Sequence, residues 1–168
     1  MQHPFQATPA DRAILKDSSR YRVFEPRLGM AHARTAYFHN TIGGYHGAKP
    51  HRMQSLYDYH LNETITPNVV NMLNIKYTIQ SSEEGSLSAG LNPNAFGNAW
   101  LVKEVISCRS ADDEIRRLAT ENLKKTALTT DSISQREFVL DSLSSISLVT
   151  HKANELRYKA SVSSTAFS

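Results

Sequence analysis

One cysteine stands in the whole chain, Cys108, so no disulfide framework holds this fold together. It lies in a strand-like run, where a buried, inert thiol is expected; a reactive thiolate needs an electropositive, partly exposed setting. Long apolar runs are missing too. No stretch approaches the ~20 residues needed to span a bilayer, and Met1-Gln-His-Pro4 lacks the charged start and apolar centre of a signal peptide. Charge of one sign is scarce: 19 Lys and Arg against 16 Asp and Glu give a net charge of +3, scattered along the chain. That excludes the basic stripe of a nucleic-acid-binding surface, so no nucleic acid is expected as a partner. Paired Cys-x-x-Cys and helical His-Glu-x-x-His spacings are absent, and so is a Gly-x-Ser-x-Gly elbow, which removes the commonest zinc and serine-nucleophile signatures.

What remains is an ordinary globular composition. With 168 residues, 40% hydrophobic and 21% charged, the chain has the length and apolar content to bury a core and reads as one domain. Residues 1–7 read as disordered. Thr8-Pro9-Ala10-Asp11 then carries the capping residue, first-turn proline and early acid that start a helix. Tyr21–Phe24 reads as a short strand, and residues 27–36 have no period and read as loop.

Between Tyr37 and Leu61 the composition changes. The adjacent glycines Gly43 and Gly44, followed by Gly47, mark a tight turn or a place where something packs on bare backbone. From Pro50 onward, Met53, Leu56, Tyr57, His60 and Leu61 recur at helical spacing. Thr66-Pro67 opens another helix, and Ile75–Ile79 alternates like a half-buried strand. The polar, Gly/Ser-rich segment 81–91 reads as a flexible loop, and Trp100–Ile106 as the most hydrophobic strand. Ser110–Glu114 caps a further helix, Thr126–Thr129 is a weak strand, and two alternating runs around His151–Asn154 form a C-terminal hairpin. Helices early and strands late give an α+β fold: helices mainly in the N-terminal half, packed on a largely antiparallel sheet, with the β-hairpin at the C-terminal end.

Two segments have ligand chemistry. The Gly-rich corner presents Tyr45, His46 and Lys49: a flat ring, an imidazole and an ammonium able to meet a phosphate. The segment Asn92–Trp100 is rich in amides and ends in the single tryptophan, so Asn98 and Trp100 combine amide hydrogen bonding with an aromatic platform suited to a sugar. Both segments also read as plain turns, the second feeding a buried Trp. Four histidines, His39, His46, His51 and His60, fall in the central stretch, but His51 and His60 lie nine residues apart in sequence, about 180° around a helix axis. A shared metal there is excluded, and no metal or cofactor is expected. The acids at Glu83-Glu84 and Asp112–Glu114 sit in a loop and at a helix start, not across a cleft.

Three motifs in order carry a resemblance: Thr8–Asp11 with Tyr21–Val23; Ile42–Lys49; and Asn71–Tyr77 with Asn92-Pro93 and Gly97–Trp100. Together they resemble the extracytoplasmic region of YfhO-like bacterial membrane proteins of Bacteroidetes type, over nearly the whole chain from residue 8. The resemblance implies a domain excised from a polytopic protein of the cytoplasmic membrane, exposed on the periplasmic side. It also implies a relation to C-type glycosyltransferases, which use lipid-phosphate-linked sugars, so a glycan or such a sugar and the membrane helices of the parent chain are the implied partners. Pro50 departs from the family pattern, and the final hairpin is left with an unpaired edge where relatives continue through further strands. Catalytic acids in C-type glycosyltransferases lie in loops between membrane helices, so no catalytic residue transfers to this chain. The alternatives are a non-catalytic scaffold packing on membrane helices or a partner, and, third, a soluble enzyme.

Overall fold

The computed structural model describes residues 4–44, 48–133, 137–152 and 154–162. The fold is α+β: among the described residues there are five α-helices, mainly in the N-terminal half, and seven strands in three small sheets, ending in an antiparallel hairpin. The chain packs as two compact units, Met1–Ala95 and Phe96–Ser168.

In the first unit, helix α1 (Pro9–Ile14) starts on a complete capping box, Thr8 and Asp11 each bonding the other's backbone N–H. Strand β1 (Arg22–Phe24) pairs in parallel with β2 (Ile75–Ser81), which pairs antiparallel with β3 (Leu87–Leu91). Ala10, Ile14, Tyr21, Val23 and Ile79 form the core beneath this sheet, with Tyr77 and Leu87 against it. The segment 81–91, read from sequence as a loop, is therefore mostly strand. Its alternating Leu87, Ala89 and Leu91 satisfy their backbone groups on β2, leaving residues 82–86 as the turn. The N-terminal segment is also engaged, since Phe5 packs edge-on against Tyr37 at 5.7 Å.

Helix α2 (Ala33–Phe38) occupies part of the stretch that lacked a period. The Gly43 position is the anticipated close approach: a Cβ there would lie 2.0 Å from the Met30 carbonyl oxygen. Gly44 N–H donates to that same carbonyl at 2.9 Å. Helix α3 (His51–Tyr57) follows with Pro50 as its N-cap and continues into a π-helical turn, Asp58–Asn62. Helix α4 (Pro67–Met72) leads into β2 through Asn74, whose φ of 55° is the left-handed conformation asparagine tolerates after a helix.

In the second unit, β4 (Glu104–Ser107) pairs in parallel with β5 (Thr126–Thr129), joined through helix α5 (Ala111–Arg117). Strand β4 is shorter than the run 100–106 suggested. Trp100 to Lys103 stay irregular because the Trp100 indole N–H donates to the Leu123 carbonyl at 2.9 Å, drawing this segment toward the turn before β5. Strands β6 (Ser145–Lys152) and β7 (Glu155–Ser161) form the hairpin and, among the described residues, pair only with each other. Among those residues the buried hydrophobic side chains of this unit are Cys108 and Leu123. Burial pushes the Cys108 thiol upward, and nearby Asp113 adds to the effect, so the thiol stays protonated and inert.

Candidate functional site

Two arrangements compete for a functional reading. The first is a buried ionic cluster in the first unit. Asp11 Oδ2 accepts from Thr8 N–H at 2.7 Å, from the Thr8 hydroxyl at 2.6 Å and from the Arg34 guanidinium. His39 Nε2 lies 2.9 Å from Asp11 Oδ1; an ionised carboxylate only accepts, so this nitrogen carries the proton. Arg34 also reaches Glu25 Oε2 at 2.7 Å, which accepts in addition from the Thr35 hydroxyl at 2.9 Å. Burial raises the Asp11 carboxyl, but the Thr8 and His39 hydrogen bonds and the Arg34 charge outweigh it, so Asp11 stays below the usual carboxylate range. Both Asp11 oxygens are taken up by the protein, and Asp11 is 0% and Glu25 2% exposed. A substrate cannot reach these groups, so the cluster is a clasp joining α1, the end of β1 and α2.

The second arrangement is an open cleft in the second unit, about 500 Å³ in volume, lined by Trp100, Lys103, Lys124 and, in the segment 140–146, every residue but Leu143. Trp100 is held by its bond to Leu123 and by Phe96, whose ring meets the indole edge-on at 5.0 Å. The indole N–H is thus occupied, and the ring is fixed before any ligand arrives. Lys124 Nζ lies over the Phe96 ring, 5.3 Å from its centroid. The far wall is shaped by Asp141, whose Oδ1 accepts from Leu143 N–H at 3.0 Å, Ser144 N–H at 2.8 Å and the Ser144 hydroxyl at 2.9 Å. Ser142 and Ser145 complete the polar lining. Among the described residues neither Lys103 nor Lys124 has a carboxylate partner.

The sequence-derived candidates divide between the units. Trp100 lines the cleft, while Asn98 is exposed and outside its lining. Tyr45 and His46 lie outside the described residues, and Lys49 is half-buried ahead of α3 in the first unit. The histidines are not gathered: His39 bonds Asp11, His60 Nδ1 lies 3.1 Å from the Thr66 hydroxyl, and His51 is exposed at the start of α3. Among the described residues no three His, Cys, Asp or Glu side chains lie close enough to hold a metal ion. None of their helices is long and apolar enough to cross a membrane. Sequence reasoning missed Lys103, Lys124 and the 140–146 wall, which come from separate segments with no shared motif.

No protein-family model, curated protein or solved structure matches this chain.

Proposed function

We propose that this chain is an accessory, non-catalytic sugar-holding domain of a YfhO-like membrane protein, acting on the extracytoplasmic side in transfer of sugars to an envelope polymer or lipid. What supports the membrane-protein part is the ordered motif set from Thr8 to Trp100. What carries the sugar-holding part is the cleft itself: a pre-fixed indole face beside serine and lysine side chains, in an open groove of saccharide size. Lys49, the half-buried candidate of the glycine-rich corner, remains a second contact point for a phosphate in this reading.

The test is made in the parent protein. Trp100→Ala, with surface expression matched to wild type, should lower envelope sugar transfer about tenfold. Unchanged transfer would refute the assignment, and so would a reading frame without apolar runs of about 20 residues on either side of this segment.

A second reading, a scaffold that packs on the parent's membrane helices or a partner, draws on the thin core of the second unit. Its hairpin leaves Val149 64% and Leu156 52% exposed, and an isolated two-stranded hairpin is marginal in water. Under this reading Val149→Ser with Leu156→Ser would weaken association with the parent's membrane part, leaving saccharide binding unchanged.

A further inference from the structure

Resting on the sugar-holding reading, the structure narrows the ligand by charge. Lys103 and Lys124 line the same cleft, one just before β4 and one just before β5, strands whose parallel pairing puts both starts at the same end. The backbone ties these two segments together: Lys103 N–H donates to the Lys125 carbonyl at 2.7 Å. Lys103 and the residue after Lys124 are therefore held together by backbone. Neither ammonium is neutralised by a carboxylate among the described residues; Lys124 instead lies over the Phe96 ring. The one acid in the lining, Asp141, directs Oδ1 to the N–H and hydroxyl groups of its own turn, closing residues 141–144. The cleft thus combines an aromatic face with two ammonium groups and one carboxylate, a lining of net positive charge. A lining of net positive charge favours the entry of an anion.

We propose that the cleft takes an acidic saccharide, its ring against Trp100 and its acid group, phosphate or carboxylate, at Lys103 and Lys124. A neutral sugar would use only the aromatic and hydroxyl contacts and leave the two ammonium groups without an anionic partner. An anion without a sugar would leave the indole uncovered.

Trp100 is the only tryptophan in the chain, so its emission reports this cleft directly. The intact chain would be titrated at about 50 mM salt, where surface charges are less screened than at physiological salt, with hexagalacturonate, glucose 6-phosphate, neutral maltohexaose and inorganic phosphate. Hexagalacturonate, glucose 6-phosphate or both should shift the emission, the better of them binding at least tenfold more tightly than maltohexaose; which of them does so identifies the acid group. Lys103→Gln with Lys124→Gln should erase that preference while leaving the circular dichroism spectrum unchanged. Equal binding of maltohexaose and the acidic probes, or a preference that survives the double substitution, overturns the charge inference but leaves the sugar-holding reading standing. Inorganic phosphate binding as tightly as the better acidic sugar overturns the saccharide part. No response to any of the three sugars overturns both. Should the double variant misfold, Lys103→Arg with Lys124→Arg keeps the charges and must keep the preference; loss of it there counts against the proposal.

Discussion

Replacing Arg34 with Met isolates what the buried clasp contributes. The guanidinium is the shared partner of two carboxylates, bonding Asp11 directly and Glu25 at 2.7 Å, and its side chain is only 12% exposed. Each hydrogen bond to a charged group contributes on the order of 1.5–3 kcal/mol, so losing both bonds costs roughly 3–6 kcal/mol. Removing one member of a buried ion pair costs about 3–5 kcal/mol, because the remaining charge is left uncompensated. The two routes agree on about 4 kcal/mol, a large part of the ~5–15 kcal/mol stability of a typical domain. Methionine keeps most of the volume of the aliphatic stem, so the loss is electrostatic and not a cavity effect. Urea unfolding followed by circular dichroism should show a lower midpoint with an unchanged slope. Acid titration gives an independent readout. The Asp11 carboxyl is lowered in the folded state, so its contribution is present above the ordinary carboxylate pKa of about 3.9 and fades as pH falls through the lower, folded value. Without Arg34 part of that lowering is gone, and acid unfolding should begin at higher pH than in wild type. Adding Glu25→Gln to Arg34→Met should recover part of the loss, since one stranded charge is removed. A loss below about 1 kcal/mol for Arg34→Met, or strict additivity in the double variant, would refute this account of the clasp.

Two further perturbations address other parts of the first unit. Gly43→Ala places a methyl group against the Met30 backbone carbonyl, which cannot rotate away like a side chain, and should destabilise by about 1–3 kcal/mol or more, measured as a fall in the urea midpoint. Asp17 is held well below the usual carboxylate range, first by Lys76 at 2.5 Å and then by Ser19, so Lys76→Met should move its titration upward in a carboxylate-resolved NMR experiment; an unmoved titration would show that Ser19 and the Tyr77 hydroxyl suffice.

The parts of this fold that were legible in the sequence are those governed by local chemistry. Thr8 and Asp11 form the reciprocal cap their spacing announces, and the alternation from Ile146 to Ala160 is the hairpin, with Ile146 opposite Ala160 and Leu148 opposite Tyr158. Helix α2 escaped because its inward side is polar: Thr35 is buried on Glu25, and Arg34 spans two acids, so an apolar period has nothing to register. Strand β3 escaped for a related reason. Its serine and glycine read as a loop, and only the ladder on β2 makes them a strand. For the site, Trp100 was legible because it is unique and sits beside turn residues. Lys103, Lys124 and Asp141 were not, since nothing in sequence says that three separate segments line one cleft.

The parallel pairing of β1 with β2 also sets an order of events as the chain folds. Arg22 faces Ile75, so everything from Glu25 to Asn74 must be looped out before this ladder closes, whereas β6 and β7 meet across a turn of their own. Closure of long loops is entropically costly and slows folding, and hairpins form within microseconds. Val23 N–H also donates to the nearer Asn40 carbonyl at 2.8 Å, a contact that closes a far shorter loop than the β2 ladder does. Strand β1, at the edge of its three-stranded sheet, is thereby held by a short-loop contact near Thr41 on one side and by the long-loop β2 ladder on the other.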